Sequence, residues 1–181
     1  MQRPALACFA VALLLLIPSC ANRASDRSSA DMQVYFSPQG GCTAAVVNAV
    51  NGAKETVLVQ AYSFTSAPIA KALVDAHKRG VNVQVILDKS QRTEKYSLAT
   101  FLENAGIPTF VDDIHGIAHN KVMVIDSRIV ITGSFNFTMD AEESNAENLL
   151  VIPDAALAEE YANNWRERFA HSVPYERPAR E

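Results

Sequence analysis

Short, nearly continuous apolar runs alternate along the chain with longer stretches in which apolar residues return every three or four positions. Runs at 32–36, 57–62, 81–87, 109–111 and 148–152 are rich in β-branched and aromatic residues and read as strands. The stretches 43–50, 67–79, 95–104 and 154–169 read as helices. Ser66 stands at an N-cap position with Pro68 in the first turn; Gly80 and Gly106 mark helix ends, and Asp154 caps the last helix. In that helix Tyr161, Trp165 and Phe169 recur every fourth residue, a core-facing stripe. Two further apolar runs, 122–125 and 129–131, flank Asp126, Ser127 and Arg128 and predict a hairpin. Strands this apolar are buried on both faces, so the expected fold class is α/β: a mixed β-sheet flanked by helices on both faces, made mixed by the hairpin.

The polar residues gather at the open end of the hairpin. A two-residue loop at Ser127 and Arg128 would pair Asp126 with Ile129, Lys121 with Ser134, and His119 with Asn136. Residues two apart on a strand share a face, so an imidazole, an ammonium, a hydroxyl and a carboxamide would converge. That set suits a phosphodiester: the imidazole can attack phosphorus or move a proton, and the others donate hydrogen bonds to anionic oxygens. Gly133 would let backbone come close. Asp126 falls at the turn end, too far for chemistry at ~3.3 Å per residue, and is expected to bind nearby backbone N–H groups.

The 181 residues suffice for one domain with a sizeable core. Arg3, the apolar run 5–17 and Pro18-Ser19-Cys20-Ala21 have the layout of a secretory signal over 1–21, and 22–30 reads as a flexible linker. The catalytic domain is expected at 31–172 and a loose tail at 173–181. Cleavage after Ala21 would give an exported periplasmic or secreted protein; alternatively Cys20 is the lipidated residue of a membrane-anchored lipoprotein. Cys42 alone remains in the mature domain in either case, so no internal disulfide framework is available.

The formal charge of −4 argues against a strongly basic nucleic-acid binder. Lys89, Arg92 and Lys95 form the one basic cluster, just past the strand 81–87, where a substrate-binding rim for phosphate would lie. Asp112, Asp113, His115 and His119 could be taken for a metal site, yet they fall in a loop and a strand rather than one helical turn apart. No metal and no cofactor are expected. His77 and His171 read as surface residues.

The string H-x-K, four residues, Asp126, six residues, G-S-x-N resembles the signature of the phospholipase D superfamily position by position, and the likeness extends upstream to about Met32 and downstream to Asn145-Ala146-Glu147-Asn148. Length and layout are similar to its small Nuc-type endonucleases. The resemblance implies a phosphohistidine intermediate at His119, with Lys121, Ser134 and Asn136 holding phosphate oxygens and Glu147 bonding the imidazole. With one signature copy, it also implies a homodimer with the active site at the interface of two chains. The resemblance implies a metal-independent, non-specific endonuclease acting on DNA or RNA and leaving 5′-phosphates; a phospholipase D releasing headgroups from phospholipid is the alternative, and an inactive surface-binding domain the third.

Overall fold

The computed structural model describes residues 32–176; the expected signal, linker and last five residues lie outside them. Eight strands form one sheet in the order β1-β7-β6-β5-β2-β3-β4-β8. These are β1 Gln33–Phe36, β2 Thr56–Ala61, β3 Asn82–Asp88, β4 Thr109–Asp112, β5 Lys121–Ile125, β6 Ile129–Gly133, β7 Asn148–Pro153 and β8 Val173–Pro174. The helices are α1 Cys42–Gly52, α2 Ala67–Lys78, α3 Ala99–Asn104, α4 Met139–Glu143 and α5 Ala155–Phe169. β2, β3 and β4 run parallel, while β5 is antiparallel to β2 and to β6. The α/β class with a mixed sheet and helices on both faces is therefore as expected.

Period-two alternation divides the apolar side chains between two layers. Val57, Val59, Val83, Val85, Met123, Ile125 and Ile131 join Val46, Leu73 and Leu102 in the larger core. Opposite, Val122, Val124 and Val130 pack on Ala158 and Ala162, with Leu58, Ile152, Leu157 and Tyr161 at its margin. Trp165 is buried among the strands, its indole N–H donating to Val59 O at 3.0 Å, and the Asp154 carboxylate caps α5 by accepting from Leu157 N. No helix among the described residues is long and apolar enough to cross a membrane.

Four local expectations change. The stretch 95–104 is helical only from Ala99; ahead of it lies a 3-10 turn, Lys89–Arg92, capped by Asp88 and pinned where the Gln91 side chain accepts from Phe64 N. The hairpin turn has three residues, not two. Asp126 and Ser127 are both left-handed, with φ 51° and 50°, and Arg128 N donates to Ile125 O, which places Ile125 opposite Ile129. The register is therefore one residue from the expected one, and Lys121–Ser134 and His119–Asn136 are not cross-strand partners. Helix α4, capped by the Thr138 hydroxyl, stands where a connection was expected. Finally, the tail is not loose at its start, because Val173 and Pro174 pair with β4 and Tyr175 is buried, its hydroxyl bonded to that of Thr100.

Candidate active site

The site forms where β2 ends and β5 begins. Ala61 pairs with Lys121, and Tyr62 N donates to Asn120 O at 2.8 Å, which fixes His119 just beyond the strand. The His119 ring is exposed and leans on the Tyr62 ring, with centroids 4.6 Å apart. Lys121 is 7% exposed; its Nζ donates to His119 O at 3.0 Å and sits 5.0 Å from the centre of the same Tyr62 ring. Burial pulls the Lys121 pKa below its ordinary 10.5, only partly opposed by the charge of Glu147. An ammonium with one protein acceptor in a dry site has donors left for an anion.

The G-S-x-N segment is clamped to β7. Ser134 N donates to Asn148 Oδ1 at 2.8 Å, Asn148 N to Ser134 Oγ at 3.0 Å, and Phe135 N to Asn148 O at 3.1 Å. A Cβ on Gly133 would lie 2.2 Å from Asn148 O. The close approach that this glycine allows is thus to β7 rather than to substrate. Phe135 and Phe137 are fully buried on either side of Asn136, and one end of the Asn136 carboxamide is buried without a partner. Ser134 keeps its hydroxyl proton free to donate.

Glu147 departs from expectation within one chain. Its carboxylate accepts from Asn145 Nδ2 at 3.3 Å and makes no bond to the His119 ring. Its backbone is laced to Ser37 by two bonds, Ser37 N to Glu147 O and Glu147 N to Ser37 Oγ. An open recess between Phe36, Ser37, Ser134, Glu147 and Asn148 lies beside it. As expected, Asp126 sits at the far end of the hairpin, but its carboxylate reaches across the sheet to accept from Lys54, Glu55 and Thr56 N–H rather than within its own turn.

The basic cluster is largely occupied. Lys89 Nζ donates to His115 O at 2.8 Å and Arg92 pairs with Asp113 at 3.3 Å, so both hold the 113–118 loop that leads into His119. Asp88 fastens its other end by accepting from Ala118 N at 2.7 Å. Burial works to raise the Asp88 pKa, but the bonds from Ser90 and Ala118 and the Lys89 charge hold it low. Lys95 lies over the Tyr96 ring instead.

The four residues weighed as metal ligands are not brought together. His115 Nδ1 sits 2.8 Å from the Asp112 carboxylate and its Nε2 2.6 Å from Arg168. A guanidinium can only donate, so Nε2 accepts and Nδ1 carries the proton. Burial would raise the Asp112 pKa; the bonds from His115 and the nearby His171 keep it below the usual value. Asp112, His115 and His171 do offer ligand atoms within 4.8 Å of one another, but Arg168 fixes the proton on the His115 nitrogen that an ion would need. Tyr62 and the Asp112–His115–Arg168 network were missed from sequence. For Tyr62 a signal existed, its place at the carboxyl end of a central strand.

Residues 46–169 match the family described as "Cardiolipin synthase, PLD-like domain". The chain is 44% identical over 146 residues to a phospholipase D of Rickettsia conorii, spanning 81% of this chain and 73% of that one. It is 34% identical over 110 residues to the mitochondrial cardiolipin hydrolase of Xenopus laevis, or 61% of this chain and 52% of that one. Among solved structures, Nuc of Salmonella typhimurium, a phospholipase D family member, superposes with TM-score 0.77 at 41% identity, covering 81% of this chain and 98% of that one. NucT of Helicobacter pylori gives 0.73 at 25%, covering 80% and 98%.

With a mixed sheet presenting H-x-K and G-S-x-N side by side at one end, the chain belongs to the phospholipase D superfamily. Within it, this is a phosphodiester hydrolase of the small Nuc type.

Proposed function

We propose that the chain is a metal-independent phospholipase D that works as a homodimer through a phosphohistidine on His119. The observation that carries the chemistry is an exposed His119 ring, free of protein hydrogen bonds among the described residues, beside the desolvated ammonium of Lys121. A ring nitrogen of His119 attacks phosphorus, the P–O bond to the leaving alcohol breaks, and His119 of the partner subunit, protonated, supplies the proton that alcohol needs. Water then attacks the phosphohistidine, giving its proton back to that second ring and releasing the phosphate monoester. Imidazole suits both roles because its ordinary pKa, ~6.5, allows one neutral and one charged ring near neutrality. Lys121, Asn136 and Ser134 of both chains hold the nonbridging oxygens. Glu147 acts on the pair electrostatically, through Lys121.

A dimer is needed because the sequence holds one H-x-K signature. Apolar exposure at the sheet edge supports it: Val34 and Phe36 on β1, with Met32 just ahead of that strand, are 53%, 64% and 49% exposed, and Phe36 lines the recess beside Ser134 and Glu147. Phospholipid is preferred over nucleic acid because Lys89 and Arg92 are engaged with the loop and the chain is net negative. Rickettsial relatives bearing the name phospholipase D point the same way.

Nucleic acid is the second reading, favoured by the likeness to Nuc over 98% of that chain. The reading includes export, with 1–21 removed as a signal or Cys20 lipidated; the mass of the mature N-terminus decides between these. The purified protein in EDTA is offered phospholipid vesicles and, separately, supercoiled plasmid. Released headgroup with intact plasmid is the expected result. Cleaved plasmid with intact lipid would move the substrate to nucleic acid, and full turnover by His119→Ala would sink the mechanism.

A further inference from the structure

A second histidine, four residues before His119, is held between a carboxylate and a guanidinium. The loop 113–118 leaves β4 and delivers His119, and it is tied from several elements at once. From the 3-10 turn, Lys89 donates to His115 O and Arg92 pairs with Asp113. At the end of β3, Asp88 accepts from Ala118 N. From α5, Arg168 donates to His115 Nε2 at 2.6 Å. The other ring nitrogen, Nδ1, donates to Asp112 at 2.8 Å. The His171 ring stands 5.1 Å away, centre to centre, with its Nε2 3.8 Å from the same carboxylate. The ring thus faces Asp112, which attracts a charged imidazole, and Arg168 and His171, whose positive charge repels one.

The bond to Arg168 tolerates a single protonation state. A guanidinium only donates, so Nε2 must keep its lone pair, and a second proton there would set two N–H groups against each other. Arg168 would then have to withdraw, while the bond from Nδ1 to Asp112 would survive as a charge-assisted one. The change falls next to the reacting ring: Ala118 and Asn120, the residues on either side of His119, line one small pocket with Asp112 and Arg168. Asn120 O is also the acceptor for Tyr62 N, the bond that fixes His119 at the start of β5.

We infer that His115 is a positioning residue for His119: neutral, it joins Arg168 of α5 to Asp112 of β4 and holds the 113–118 loop, whereas a second proton on its Nε2 releases Arg168 and loosens the backbone around His119. Imidazoles change charge between about pH 5 and 8, so turnover would fall in acid through a ring that does not touch the substrate. Lys89, Arg92, Asp113 and Asp88 keep their bonds in both states, so the loop slackens on its α5 side only.

The inference rests on His119 as the acting imidazole, but its first test does not use turnover. Amide hydrogen exchange at Tyr62 N–H is followed by NMR from about pH 8 to 5 in the full chain carrying His119→Ala, where no titration of His119 contributes. The His115 ring signal is recorded in the same samples. The expected result is a protection factor at Tyr62 that drops about tenfold as His115 titrates. His115→Gln, which offers a donor and an acceptor and never charges, should abolish the drop, and His171→Gln should keep it. Constant protection across the His115 titration overturns the inference, as does a drop that survives in His115→Gln or vanishes in His171→Gln.

In the active chain, His115→Phe, which makes neither bond, should lower kcat by about tenfold with KM unchanged. His115→Gln should restore most of that loss and hold its activity further into acid than the wild type. Wild-type kcat in His115→Phe would overturn the positioning role. Full turnover by His119→Ala, with the Tyr62 change still observed, would instead fault the phosphohistidine reading alone.

Discussion

Asp126 belongs to the superfamily signature yet stands at the opposite end of the hairpin from the chemistry, so its replacement should weaken the fold and spare the reaction. Its carboxylate accepts three backbone N–H groups at 2.9, 2.8 and 2.9 Å, those of Lys54, Glu55 and Thr56. Only the Thr56 bond is sheltered from solvent; the other two donors can turn to water. Losing one sheltered charge-assisted bond costs about 1.5–3 kcal/mol, and the exposed pair adds a few tenths each. Alanine must also adopt φ 51°, a left-handed conformation that aspartate tolerates better, for about 1 kcal/mol more. Asp126→Ala should therefore cost about 3 kcal/mol, a fall in Tm of about 6–12 °C for a domain of this size.

Asp126→Asn keeps the turn conformation and an acceptor oxygen and should lose about half as much. Differential scanning calorimetry with a parallel turnover assay on the folded variants reads both effects. The pH dependence has a definite sign. Burial works to raise the Asp126 pKa, but the three N–H donors and Arg128 outweigh it and hold the folded value below 3.8. Its contribution is complete above the unfolded carboxyl value and lost as pH falls through the folded one, so the difference between wild type and Asp126→Asn should begin to close below about pH 4 and vanish only below the folded value. A variant that kept its Tm and lost turnover would place Asp126 in the chemistry and refute this account.

Other residues give simpler tests. Tyr62→Leu removes the ring that steadies both His119 and Lys121 and should lower kcat about tenfold, while Tyr62→Phe stays near wild type; equal loss in both would assign the hydroxyl a role. Trp165→Phe gives up the bond to Val59 O and some buried volume, for about 1–2 kcal/mol in urea unfolding. Cys42 is fully buried, and burial with the Glu142 charge raises its pKa to about 11, so peptide mapping should find it unalkylated at pH 8 until the fold is lost.

The sheet was readable in the sequence because its strands are bounded apolar runs and its long helices have clear stops, such as Gly80 and the Asp154 cap. The candidate site could be proposed because four polar residues fall at the open end of one hairpin, in spacings that resemble a known signature. What escaped had non-local causes. The hairpin register depends on Asp126 bonding residues 70 to 72 positions away, which no local turn rule contains. Lys89 and Arg92 looked like a phosphate rim because their partners, His115 O and Asp113, become neighbours only once β3 and β4 pair. Tyr62, the residue after β2, has nothing to mark it until β5 arrives beside it.

The edge strand β1 also bears on how the molecule comes into being. Gln33 pairs with Val151, 118 positions later, and Ser37 is tied to Asn145 and Glu147. A ribosome that has released only the first half of the domain has made β1 but not the strand that shelters it. Met32, Val34 and Phe36 therefore wait, unpaired and apolar, through nearly the whole of synthesis, a long-range closure that is slow by its topology. A polar substitution at Val34 should consequently improve the yield of soluble chain even where it weakens the finished protein.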